Sequence, residues 1–237
     1  YRLHGFYADR LKGTLKNLGH IDLLITEGTN LLRSSSNYKD EQWCEKEFWR
    51  ILRENKYVFL LASSSNIDRI AAFSRCVPTG KYALADGYQT HVMHIADKNR
   101  EKEYKSFKIH TYMDEKRELY EKRGFGMAIR AGKRHTPLVK EFFEKYPDRT
   151  CLIYSMWKGY ETLPDVAELL EYSKGHIERV HVSGHITKED LEQVIEMIKP
   201  DKLMIHHTSA SKEEENKLSI PSHTELIEVV DNQMIEL

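Results

Sequence analysis

Short apolar runs of four to six residues recur along this chain, and each is followed by an amphipathic segment of helical period. That alternation constrains the fold more than any other feature. An apolar run of this length, bounded by turn residues, suits a strand buried on both faces. Strands of that kind lie parallel and need crossovers that pass back over the sheet. The runs occupy residues 21–26 (IDLLIT), 58–62 (VFLLA), 81–85, 151–154, 179–182 and 202–206, with 227–230 as a last candidate. Helical patterns cover 40–55, 66–77, a His- and Tyr-containing stretch through 96, then 136–146, 163–173 and 187–198. Within 40–55, Trp43, Phe48, Ile51 and Leu52 share one face, and within 66–77 Ile67, Ile70, Ala71 and Phe73 do the same. Pro137 stands near a helix start, where a missing N–H costs little. Residues 97–136 are charged, dotted with aromatics, and show no clear period. The predicted class is α/β, with parallel strands covered by helices.

At 237 residues the chain suits one large domain or two modest ones. A composition 40% hydrophobic and 31% charged is that of a globular protein. Thirty-six Lys plus Arg against 37 Asp plus Glu give a net charge of −1. This excludes a polycation that holds nucleic acid by bulk charge, and leaves room for a local basic cleft. No run reaches the ~18 apolar residues of a membrane helix. Cys44, Cys76 and Cys151 lie far apart with no CxxC pair, as expected of a reduced, cytoplasmic chain. The opening YRLHGFYADR is neither a signal nor a transit peptide, and it reads as the interior of a longer protein.

Four of the 12 histidines crowd two predicted strand ends: His181 and His185, then His206 and His207. The string His181-Val-Ser-Gly-His185 leads into Thr187, which with Asp190 makes a T-x-x-D helix start. Open α/β sheets place ligands where strand ends feed helices. Imidazole serves there as a metal ligand or as an acid–base near neutral pH. The alternative is that these histidines are hydrogen-bonded surface residues. Glu27 ends the first apolar run before Gly28-Thr29, a pair that lets the chain turn. A carboxylate there can orient a histidine or a metal-bound water, or serve only as a cap or salt-bridge partner.

Three strings taken in order, IDLLITEGTNL (21–31), HVSGHITKEDL (181–191) and KLMIHHTSA (202–210), resemble the metallo-β-lactamase fold in its β-CASP branch. That branch includes ribonuclease J, the messenger-RNA 3′-end cleavage factor and the DNA cross-link-repair nucleases. The resemblance implies part of an αββα core, residues 1–35 with 178–237, carrying an inserted β-CASP α/β domain over 36–177. It puts Glu27 on the acidic motif A, His185 on motif B beside the scissile phosphate, and His207 on motif C as a zinc ligand. His181, Ser183 and Gly184 would line the phosphate, and His206 is read as structural.

The turn at 154–160 resembles a substrate-contacting loop of the ribonuclease J relatives, with Ser155 and Lys158 as candidates. A solvated loop with a packed Trp is the plainer reading. In the basic stretch 116–134, Tyr120 and Phe125 are placed to stack bases between cations, unless the stretch is an ordinary charged surface. The family's HxHxDH loop, a further His and its bridging Asp do not occur in the sequence. The expectation is therefore the C-terminal part of a two-zinc ribonuclease, the missing half of the core being supplied in cis or in trans. RNA is preferred over DNA because a His stands at motif C. This chain alone is expected to hold no zinc pair and to be inactive. A non-catalytic RNA-binding subunit, a DNA nuclease and a small-molecule hydrolase are the alternatives, and a homodimer is left open.

Overall fold

The structure is a computed structural model that describes residues 8–32, 39–99, 106–215, 217–228 and 234. In chain order the elements are α1 (Ala8–Lys16), β1 (Leu23–Glu27), α2 (Glu41–Glu54), β2 (Tyr57–Leu61), α3 (Ile67–Cys76), β3 (Tyr82–Ala85) and α4 (Gly87–Lys98). There follow β4 (His110–Thr111), α5 (Arg117–Arg123), β5 (Phe125–Ile129), α6 (Thr136–Lys145), β6 (Thr150–Tyr154), α7 (Pro164–Tyr172) and β7 (Ile177–Arg179). Last come α8 (Lys188–Ile198), β8 (Lys202–His206), α9 (Lys212–Glu215) and β9 (Glu225–Ile227). The class is α/β, and every named strand pair is parallel. Among the described residues no helix is long and apolar enough to cross a membrane. The chain divides into two compact units, Tyr1–Lys39 with Ser183–Leu237 (unit 1) and Asp40–Val182 (unit 2).

Unit 2 is built on a six-stranded sheet in the order β4-β3-β5-β2-β6-β7. All five residues of each of β2, β5 and β6 are buried, so both faces of the sheet are covered. One core gathers Tyr57, Phe59 and Leu61 with Phe125, Met127, Val139, Phe142 and Leu169, which come from β5, α6 and α7. The other gathers Val58 and Leu60 with Phe48, Leu52 and Phe73 from α2 and α3. Side chains alternate across a strand, so odd residues of β2 feed one core and even residues the other. Helix starts are fixed by the expected chemistry: Asp40, Asn66 and Asp86 accept hydrogen bonds from the amides of Trp43, Arg69 and Gln89.

β5 lies in the middle of this sheet, within the stretch that had no readable period. The expectation that Phe125 and Tyr120 face solvent and stack bases is corrected: both are buried in the core. Gly126 hid the strand, because glycine interrupts a β pattern. Its reason is close approach: a Cβ there would meet Leu52 Cδ2 at 2.7 Å, Val77 Cγ2 at 2.9 Å and the Phe73 ring at 3.0 Å. Two helices press on the strand where only a hydrogen fits.

Unit 1 has a three-stranded sheet in the order β1-β8-β9. Among the described residues its core packs Leu24, Leu203, Ile205 and Leu226 against Leu191, Val194, Ile195 and Ile198 of α8, with Leu11 and Leu15 of α1 alongside. Thr187 caps α8 by accepting the Asp190 amide at 3.0 Å, as the T-x-x-D spacing predicted. The opposite sheet face carries Ile25, Met204 and Ile227, which are direct cross-strand partners in one row. Ile25 is 56% exposed.

Candidate functional site

The site lies in unit 1, where the carboxyl ends of β1 and β8 meet the loop entering α8. Three side chains come together there: Glu27, His185 and His207 offer ligand atoms that all lie within 4.8 Å of one another. Residues more than 150 positions apart are brought together because β1 and β8 pair in register, Glu27 opposite His206. His206 is exposed at the end of β8, and His207 adopts φ +53°, a left-handed backbone uncommon for a non-glycine residue. Backbone strain of this sort gathers at functional positions.

Gly28 departs from its expected reason. Its φ is ordinary, but a Cβ would meet Ile205 Cγ2 at 2.7 Å, Leu31 Cδ1 at 2.8 Å and Thr208 Cβ at 3.0 Å. It serves packing, letting the β1 end lie tightly on the β8 end.

Thr29 sits at the centre, although nothing in its sequence context singles it out. Its Oγ1 lies 3.2 Å from His185 Nδ1, 3.2 Å from His207 Nδ1 and 3.2 Å from the His207 carbonyl. A hydroxyl has one hydrogen. With that hydrogen on the carbonyl, both Nδ1 atoms carry their own hydrogens and donate to Oγ1. In a neutral ring of that tautomer Nε2 is the nitrogen without a hydrogen, the one able to bind metal or take a proton. Glu27 reinforces this for His185, its Oε2 standing 3.4 Å from Nδ1.

Glu27 is held in turn by two backbone amides: Thr29 donates to Oε2 and Ile186 to Oε1, each at 2.8 Å. Burial pushes its pKa up, but hydrogen bonds from Thr29 and Ile186 and the nearby His185 outweigh this, leaving it below the usual value. The carboxylate is therefore ionised at neutral pH. Buried Asn30 donates to the His185 carbonyl at 3.1 Å, and Ser183 Oγ accepts the His185 amide at 3.2 Å. Ser183 is thus engaged locally in shaping the His185 turn, and Gly184 is exposed at its tip.

The remaining candidates belong to unit 2. Ser155 is corrected as a surface contact for phosphate: it is 3% exposed and lies inside a buried network. Its Oγ donates to the Val180 carbonyl and accepts from Arg69 Nη1, both at 2.6 Å. Fully buried Arg69 also forks onto Glu41, at 2.9 and 2.6 Å. Lys158 is exposed and opens a short 3₁₀ turn, and Trp157, 58% exposed, lies over Gly159. His181 is half-buried. At the carboxyl ends of β2, β5 and β6, a crevice of about 590 Å³ is lined by Ser63, Ser64, Arg130, Met156 and Asp165.

A carboxylate and two imidazoles match the nitrogen and oxygen donors zinc prefers. The three residues are therefore a candidate metal-holding group.

No family model and no curated protein matches the chain. Among solved structures, the chain is similar to a protein of unknown function from Enterococcus faecalis V583, with a TM-score of 0.67 and 16% identity. The match covers 100% of this chain and 56% of the other, so this chain spans little more than half of that protein's length. At this identity the likeness speaks for the fold.

Proposed function

We propose that this chain is part of a metal-dependent hydrolase of the metallo-β-lactamase fold, β-CASP branch, whose substrate is the phosphodiester bond of RNA. The observation that carries the reading is the meeting of Glu27, His185 and His207 around Thr29, their ligand atoms all within 4.8 Å of one another. The fold supports it further. Helices cover one face of the β1-β8-β9 sheet, while Ile25, Met204 and Ile227 leave an apolar row on the other. This arrangement fits one half of an αββα sandwich, as expected of an αββα core split from its N-terminal part. Unit 2 is the β-CASP insertion in this reading.

His207 and Glu27, with His185 beside them, would hold zinc. When bound, zinc supplies a Lewis acid that polarises the phosphoryl oxygen and lowers the pKa of a water. The chain's own residues do the rest. Ionised Glu27 keeps the hydrogen of His185 on Nδ1, so that Nε2 faces outward to take a proton or, once protonated, to give one to the leaving oxygen. Thr29 and the His207 carbonyl fix both rings in that orientation.

The test uses the full-length product of the encoding gene, with single-stranded RNA and DNA of one sequence. RNA is expected to be cut. His185→Ala should keep its metal and lose at least ~100-fold in turnover, the scale of one acid–base group, while His207→Ala should lose metal. Far faster cutting of DNA would overturn the RNA assignment, and a gene without an HxHxDH segment and a product without hydrolysis would overturn the enzyme. The 237-residue chain alone, after dialysis, is expected to retain at most one zinc and to leave RNA intact.

A further inference from the structure

The topology of unit 2 marks one place on its sheet for a ligand. β2 and β5 are neighbours, yet their outgoing helices lie on opposite faces: α3 packs Phe73 into one core, and α6 packs Val139 and Phe142 into the other. Where neighbouring strands part in this way their carboxyl ends leave a crevice, and ligands of parallel sheets bind there. The crevice of about 590 Å³ stands at that point, lined by Ala62 and Ser63 after β2 and by Arg130 and Ala131 after β5. Met156 and Leu163, which also line it, bracket the turn that carries Trp157 and Tyr160.

Trp157 is exposed, but its turn is braced. Buried Tyr154 donates its hydroxyl to the Trp157 carbonyl at 2.8 Å, and the Tyr160 amide donates to the same carbonyl at 3.0 Å. Arg179 forks onto Glu161 at 3.0 and 3.2 Å. A Cβ on Gly159 would fall among Cε3, Cζ3 and Cη2 of the indole, so the glycine is what lets the ring lie on the turn. Tyr160 closes one edge, perpendicular to the indole with centroids 5.4 Å apart. One ring face is thus backed by the chain, and the 58% of the residue that stays exposed leaves the other to solvent. Trp49, Tyr88 and Tyr172 are exposed too, but Arg53, Arg130 and Lys140 lie over their rings, at 3.5, 4.8 and 4.7 Å. No cation among the described residues covers Trp157 in that way.

An indole with one open face, presented from a braced turn, suits a flat aromatic partner, and every nucleobase has a π-face to offer it. Charge favours a strand over a free ring. In the loops after β5 and β6, Arg130 is taken by Asp86 at 2.6 Å and Glu161 by Arg179 at 3.0 Å, which leaves Lys133, Arg134 and Lys158 against Asp165. A cationic edge beside a stacking ring is the combination that holds a single strand by phosphate and base together. We propose that the carboxyl edge of the unit 2 sheet binds single-stranded RNA, with an unpaired base stacked on Trp157 and an adjacent phosphate drawn to Lys158. The choice of RNA as the strand rests on the function proposed above; the stacking rests on unit 2 alone.

The experiment measures binding of end-labelled oligo(U) to the 237-residue chain at low salt, beside an abasic ribose-phosphate strand of the same length. Oligo(U) is expected to bind and to quench indole fluorescence. The abasic strand keeps the phosphates and should bind at least ~5-fold more weakly, the lower end for loss of one stacked base. Trp157→Ala should lose at least ~5-fold for oligo(U) and leave the abasic strand unaffected, and Trp157→Phe should recover part of that loss. Gly159→Val, which pushes the ring off its seat, should behave as Trp157→Ala does. Lys158→Ala should weaken both strands alike and reduce the slope of log K against log salt by about 0.7. Trp49→Ala should bind as wild type does. The inference is overturned if oligo(U) does not bind, if the abasic strand binds as tightly, or if Trp157→Ala binds oligo(U) as wild type does. Cleavage is read separately: a full-length product that never cuts RNA would end the hydrolase reading and leave the stacking result standing. A product that cuts RNA while Trp157→Ala binds it normally would end this inference alone.

Discussion

The two sheets of this protein are both parallel, yet they are finished differently. In unit 2 the central strands are buried along their whole length and feed two cores, one on each face. In unit 1 the strands alternate, Leu24, Leu203 and Ile205 facing one core while Ile25 and Met204 on the other face remain exposed or half-covered. Parallel sheets rarely leave a face to water, because their crossover helices pack on both sides. The contrast teaches that unit 2 is a complete layered structure, whereas the unit 1 sheet has a second face suited to another layer. The candidate cluster of Glu27, His185 and His207 sits on the unit 1 sheet.

Truncation at the centre of unit 2 should break the contrast most visibly. Phe59→Ala removes a fully buried ring from one core and should cost about 3–5 kcal/mol in urea unfolding. A loss under ~1 kcal/mol would show that the core is looser than its burial implies. Next comes Arg69→Met, which leaves Glu41, the Ser155 hydroxyl and the Val182 carbonyl without their shared cation. About 3 kcal/mol is expected, the lower end for a buried pair, since Glu41 keeps some contact with water.

A smaller effect comes from acid. Burial pushes Glu121 up, but Lys145, Tyr146 and Arg117 together bring its pKa from the usual 4.5 to about 2. A carboxylate depressed on folding stabilises above its unfolded pKa, and that contribution is lost as pH falls from about 4.5 toward 2. Glu121→Gln should therefore flatten the stability–pH curve over that window and leave its shape above pH 5 alone. An unchanged slope below pH 4.5 would discount the cluster.

The smallest effect sharpens the contrast from the other side. Ile25→Ala should change the stability of the 237-residue chain by under ~0.5 kcal/mol, because the side chain is largely in water. In the full-length gene product, where the proposed second layer would cover it, the same change should cost about 1–3 kcal/mol. Equal effects in the two proteins would argue against a layer on that face.

Much of the architecture was legible one element at a time. The run at 202–206 coincides with β8, and Asp40, Asn66 and Thr187 start helices as small polar caps should. These signals are local: apolar periodicity and a side-chain acceptor within three residues of its amide. β5 escaped because Gly126 answers to Leu52, Phe73 and Val77, residues 49 or more positions away. The aromatics beside it read as surface groups because neighbouring charges mask a buried strand flanked by Arg123 and Arg130. Ser155 misled for the same reason, its hydroxyl belonging to Arg69 and Val180.

The sequence by itself determined the α/β class, the alternation of strands and helices outside 97–136 and the clustering of histidines near strand ends, since each follows from residues close together in the chain. Only the tertiary structure decided which of those histidines meet. The parallel register of β1 and β8 puts Glu27 beside the His206–His207 corner, and a single hydroxyl, Thr29, ties both rings together. It likewise decided that Arg130, after β5, and Met156, after β6, line one crevice. Both depend on strand pairing between distant segments, which hydrophobic patterning favours as a class of fold but cannot register residue by residue.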